Sequence, residues 1–128
     1  MINLDYFCIK YGQKIGLTKE NKEADIRKAF GILQEDGVYA MFLWLEDKDS
    51  TIREKGLIPL YNENSIKGYL LSHTDHFPET FNEFSRKLQE IAVNYNKLMF
   101  MKEITMRTLT YALYHAKVSA GEKNVEKS

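Results

Sequence analysis

The chain has 128 residues, 44% of them apolar, with two prolines and a single cysteine. That length supports one hydrophobic core and falls short of two ordinary domains, so one helical domain over 1–128 is expected, with 122–128 a polar, disordered tail. Eighteen basic and eighteen acidic side chains cancel, which removes any global field toward nucleic acid or an anionic membrane, and one cysteine, Cys8, excludes an internal disulfide framework and a cysteine-based zinc site.

The opening, MINLDYFCIKYGQK, lacks the basic start, apolar run and small-residue cleavage site of a leader, and no stretch reaches the roughly 18 apolar residues that span a bilayer. A soluble cytoplasmic protein is the expectation. Apolar residues recur with helical spacing, beginning with Leu4, Phe7, Cys8, Tyr11 and Ile15, which predict a helix over residues 2 to 15 that Gly16 interrupts. Ile26, Ala29, Phe30 and Leu33 predict a second helix from Asn21 to Glu35, stopped by Asp36-Gly37. VYAMFLWLEDK is apolar on every side; its Met, Leu and Ala content favours a buried helix over a buried strand. DKDSTIREKGLIPLYNEN reads as a loop with one short helix at most, and NSIKGYLLSH places Ile66, Tyr69, Leu70 and His73 on one face. Pro78 suits a first helical turn, and Phe81, Phe84, Leu88, Ile91, Ala92 and Tyr95 hold the helical phase behind it. Asn96 is placed to cap the last helix, from Lys97 to about Ala120, with Gly121 ending it. The fold class that follows is an all-α, single compact bundle of about five or six helices.

The last helix carries more chemistry than a core needs. Leu98, Met101, Thr105, Leu109, Ala112 and Ala116 line a core stripe, while Phe100, Glu103, Arg107, Thr110, Tyr114 and Lys117 line the opposite one, with Tyr111 beside it. A solvated face with Glu103 and Arg107 as an i, i+4 ion pair is one reading. A surface for another chain is the other, because tyrosine and arginine are enriched at interfaces and RNA backbones, where rings stack and cations meet phosphates. His73 and His76, with Asp75 and Glu79 close by, sit in a polar connection with no third histidine or second cysteine nearby, so no metal site is expected. Arg107 and His115 are similar in type to the arginine and histidine of small helical RNA nucleases of the HEPN class, but seven residues intervene where that motif has four to six. No phosphate loop, nucleophile elbow, paired-carboxylate signature or dinucleotide fingerprint occurs, so neither an enzyme nor a cofactor is expected.

Two segments carry a resemblance. IRKAFGILQEDGVYAMFLWLEDK and EITMRTLTYALYHAKVSAGE resemble the early part and the last helix of the small helical subunit of the type III-B CRISPR effector, the Cmr complex. Asp36-Gly37-Val38 falls at that family's turn and Lys117 at its basic position. The resemblance, over about residues 22 to 120, implies a non-catalytic subunit in antiviral defence. Such a subunit stacks with copies of itself in a filament beside the backbone subunits, bordering the guide RNA and target RNA. Base pairing would read sequence, so the protein needs only scattered cations. On that reading Arg107 and Lys117 meet RNA phosphates, with Arg27, Lys28, Arg86 and Lys87 as further candidates, and Phe100, Tyr114, Tyr111 and Trp44 meet neighbouring protein. The alternatives from other classes are a HEPN-like helical ribonuclease or toxin, and a helical protein-interaction adaptor without RNA.

Overall fold

In the computed structural model the backbone is described for residues 3–17 and 22–127, and the side chains for 3–17 and 23–121. The expected boundary at Asn21 and the side chains of the expected tail, 122–128, lie outside them. The fold is all-α: α1 Leu4–Leu17, α2 Lys22–Asp36, α3 Val38–Lys48, a π-helical segment Ile52–Leu57, α4 Ile58–Tyr61, α5 Asn64–Leu70, α6 Phe81–Ala92 and α7 Tyr95–Lys127. The seven α-helices among the described residues slightly exceed the five or six expected.

α7 is the axis of the molecule, with α1, α2, α3, α5 and α6 all packed on it. Most of its expected core stripe is buried, Met101, Thr105, Leu109 and Ala112 fully and Ala116 nearly so, but Leu98 is only half-buried, and Ile104 and Thr108, outside the expected stripe, are buried with it. α1 runs alongside in the same direction, since Cys8 Sγ lies 3.6 Å from the Ile104 carbonyl while Gly12 meets Thr108 and Ala112, and Gly16 meets Ala112 and Ala116. Those glycines explain the intimacy. A methyl group at Gly12 would fall 2.8 Å from the Thr108 carbonyl oxygen, and one at Gly16 2.5 Å from that of Ala112, so only glycine lets the two backbones touch here. Gly16 therefore does not interrupt α1; packing against α7 outweighs its poor helix propensity.

Between α2 and α3 the chain reverses at Gly37, whose φ of 98° suits a residue without a Cβ. Its N–H donates to the Ile32 and Leu33 carbonyls, both at 3.2 Å, at the expected stop. α3 is helical as its composition indicates, with Val38, Met41, Phe42 and Leu45 buried.

The stretch after it corrects the sequence reading, for residues 52–61 are helical almost throughout. Burial of Ile52, Leu57, Ile58, Leu60 and Tyr61 drives this, and the Ile58 N–H reaching the Arg53 carbonyl widens the coil by one residue. Gly56 meets the Ile15 side chain with no room for a Cβ, and Pro59 sits at the start of α4, where a missing N–H is harmless.

Several helix limits also move. Pro78 lies in the connection before α6, which starts at Phe81; Asn94 rather than Asn96 caps α7, its Oδ1 accepting the Lys97 N–H at 3.1 Å. α7 passes Gly121 and continues to Lys127. Tyr95 opens α7 instead of closing α6, and His73 falls beyond α5, away from the face expected to join it to Ile66.

Candidate interaction surface

The outward stripe of α7 divides into two unlike halves. In its distal half Tyr114 is 62% exposed and Val118 59% exposed, and the Lys117 ammonium stands 5.9 Å from the centre of the Tyr114 ring. An aromatic and an aliphatic side chain held in water beside a cation form an amphipathic knob that the monomer leaves uncovered. In the proximal half Phe100 is half-buried and meets Tyr69 of α5 edge-on, centroids 5.1 Å apart. The sequence set Phe100 and Tyr114 on one open face, and the fold covers the first while leaving the second bare.

Arg107 lies between the halves. Its guanidinium reaches Glu103 at 3.2 Å and Asp5 of α1 at 3.8 Å, so the expected i, i+4 pair is present and a second acid balances the same cation. Asp5 also accepts the Tyr111 hydroxyl at 2.9 Å. That hydrogen bond raises the phenol's pKa and holds the half-buried Tyr111 ring over the α1–α7 seam, where its Cβ closes on Gly12. His115, a helical turn further on, packs its Cβ against Gly16. The seam thus uses Tyr111 and His115 structurally.

The remaining expected contacts are scattered. Arg27 pairs with Glu23 at 3.0 Å along α2, whereas Lys28 is exposed without an ion pair among the described residues. Lys87 reaches Asp75 at 2.7 Å; each group moves the other's pKa, the carboxyl down and the ammonium up. Arg86 beside it is exposed, with no acid partner among the described residues. Trp44 is half-buried against the core, and the open face of α3 is instead Tyr39 and Leu43. His73 packs its ring on Gly68, and among the described residues no three His, Cys, Asp or Glu side chains converge as metal ligands.

Two features escaped sequence reading. Arg53, in the segment read as a loop, is 1% exposed. It donates to Glu46 from Nε and Nη2 at 3.1 and 2.9 Å and to the Glu79 carbonyl at 2.6 Å, and its guanidinium lies 5.6 Å from the Phe81 and Phe84 ring centres. It joins α3, the π-helical segment and the start of α6. A lone arginine in a charged, glycine-containing stretch gives no advance sign of such burial. The second feature is a cleft of about 360 Å³ lined by Leu4, Ser65, Tyr69 and Phe100, adjoining one of about 650 Å³ that shares Ser65 and includes Glu63. Its residues come from three helices far apart in the chain, so no local pattern announces it.

Among the described residues no helix is long and apolar enough to cross a membrane. No protein-family model matches the chain, and no curated protein or solved structure matches it either.

Proposed function

We propose that this chain is a non-catalytic helical subunit of an RNA-guided antiviral effector of the type III-B CRISPR kind, acting in the cytoplasm and packed beside copies of itself and backbone subunits. The observation that carries it is α7: one stripe fills the core from Met101 to Ala116, and the other ends in the uncovered Tyr114, Lys117 and Val118. The resemblance of residues 22 to 120 to the small subunit of such effectors supplies the partners. A subunit of this kind borders RNA whose sequence is read by base pairing, so a neutral protein with a few unpaired cations suffices.

The ion pairs rank those cations. Lys117, Lys28 and Arg86 have no acid partner among the described residues, while Arg107, Arg27 and Lys87 already do. RNA phosphates therefore meet the first three ahead of the second three. The test is target-RNA retention by the assembled effector carrying Lys117→Glu with Lys28→Glu. Retention is expected to fall about tenfold, the effect of reversing two phosphate contacts, against a smaller loss for Arg107→Glu. Unchanged retention by the double variant removes RNA from the function. An assembly that forms without nucleic-acid absorbance identifies the second reading, a protein adaptor, which the neutralisation of Arg107 by Glu103 and Asp5 favours.

A further inference from the structure

From the smaller cleft to Lys10 the surface passes from apolar to polar to cationic, the order in which a nucleotide passes from base to ribose to phosphate. Leu4, Tyr69 and Phe100 give the cleft of about 360 Å³ apolar walls, and the two rings meet edge-on with centroids 5.1 Å apart. Ser65 lines both this cleft and the adjoining one of about 650 Å³, and its hydroxyl is buried without a hydrogen-bond partner. Buried polar groups are almost always satisfied, so a hydroxyl orphaned where two clefts join points to an occupant that supplies the partner. The larger cleft adds the amides of Asn3 and Asn64 beside Tyr6 and Phe7. Each volume falls within the roughly 300–1,000 Å³ of small-molecule sites.

α1 carries the order onward. Asn3, Tyr6, Phe7 and Lys10 follow the i, i+3, i+4, i+7 spacing of one helical stripe, and Lys10 lies about 9 Å beyond Leu4 along the axis, a span comparable to the length of a mononucleotide. The Lys10 ammonium stands 5.1 Å from the centre of the Tyr11 ring, and that of Lys14 stands 5.2 Å from the same ring. Tyr11 donates its hydroxyl to Glu63 at 2.5 Å, so the acid of the larger cleft is already engaged, while Lys10 has no ion pair among the described residues. An anion arriving there relieves the repulsion between two ammoniums four residues apart on one helix. We infer that the joined clefts form a site for one ribonucleotide, with its base between Leu4, Tyr69 and Phe100, its ribose hydroxyls on Ser65 and the asparagine amides, and its phosphate at Lys10. A purely apolar ligand leaves the cationic end unused, and inorganic phosphate leaves the rings bare. The site uses none of Lys117, Lys28 or Arg86, so it goes beyond the proposed function without resting on it.

Amide NMR titrations of the full chain with each of the four ribonucleoside monophosphates, and with inorganic phosphate alone, test it. Saturable shifts at Tyr6, Ser65 and Tyr69 are expected with the nucleotides and not with phosphate. Tyr69→Ala is expected to weaken binding about tenfold, as loss of a stacking ring does. Lys10→Glu, an exchange on the surface of α1, is expected to weaken it as much and to flatten its salt dependence. Ser65→Ala is expected to weaken it about threefold without lowering the urea midpoint, since the hydroxyl holds nothing in the free protein. No saturable shift with any nucleotide, shifts that inorganic phosphate reproduces, or an affinity indifferent to both Ser65→Ala and Lys10→Glu overturns the inference. A short oligouridylate finds the source of the nucleotide: binding tighter than that of uridine monophosphate and lost with Lys10→Glu puts it in a strand, and equal binding makes it free. Retention of target RNA by the assembled effector is measured separately. A nucleotide bound here while that retention ignores Lys117→Glu with Lys28→Glu overturns the proposed function alone, and retention lost in that double variant with no nucleotide bound here overturns this site alone.

Discussion

Arg53 shows how much one side chain can hold. Its guanidinium is out of water, doubly bonded to Glu46, bonded to the Glu79 carbonyl and placed against two phenyl rings. Glu46 keeps some contact with solvent, its side chain 34% exposed, so it can rehydrate if its partner is lost; the carbonyl and rings cannot be recompensed as easily. Arg53→Ala is expected to lower unfolding free energy by about 3 kcal/mol in urea denaturation, near the lower end for breaking a buried charge pair. The Asp75–Lys87 bond, by contrast, is partly exposed and screened. Asp75→Asn is expected to cost about 0.5 kcal/mol at neutral pH. The Asp75 carboxyl titrates below its ordinary value because Lys87 and the His76 N–H stabilise the anion. Its contribution is therefore present above that ordinary value and fades as pH falls through the lowered one. Stability curves of the wild type and Asp75→Asn should converge in acid; a gap that widens there refutes the assignment.

Among the helices, the glycines separate two physical roles. Gly16→Ala gains helix propensity, worth about 1 kcal/mol, but its methyl would collide with the Ala112 carbonyl and the His115 Cβ, which are backbone and rigid. The net expectation is a loss of about 2 kcal/mol from forcing α1 off α7. At Gly31 in α2 an added methyl would meet nothing within 4 Å, so Gly31→Ala is expected to stabilise by about 0.5 to 1 kcal/mol. Urea midpoints that move in the same direction for both would sink the argument. Propensity alone treats the two glycines as equals. The same limit accounts for residues 52–61: Gly56 and Pro59 advertise a loop, yet buried Ile52, Leu57 and Leu60 and the fit of Gly56 against Ile15 make the segment helical. Hydrophobic phase was legible where it ran for several turns, as in α1, α2, α6 and α7. It failed where the coil changed pitch after Ile52, because a π-helical residue shifts every later side chain by a fraction of a turn.

At the scale of the molecule, α7 packs against α1, α2, α3, α5 and α6 and is hydrogen-bonded to α4 through Thr105 and Tyr61, so every other helix shares a core with it. A single cooperative transition is expected, in which the fluorescence of Trp44, half-buried in α3, and the far-ultraviolet circular dichroism lose signal together; separated curves would mean that α2 and α3 unfold as a unit of their own. The candidate surface follows from the same arrangement. A helix wrapped on one side by neighbours must leave the other side to solvent, to RNA or to another protein.

The sequence by itself determined that the chain is helical, where its longest helices face inward, and that its charge is balanced, because these are set by residue type and a 3.6-residue period. It also placed Phe100, Arg107, Tyr114 and Lys117 on one side of the last helix. Only the tertiary structure decided what that side offers. Tyr69 arrives from α5 to make Phe100 a cleft wall, and Asp5 arrives from α1 to balance Arg107. Tyr114 and Lys117 receive no such cover. Burial and charge pairing between distant segments depend on distances through space, and those are fixed when the helices pack.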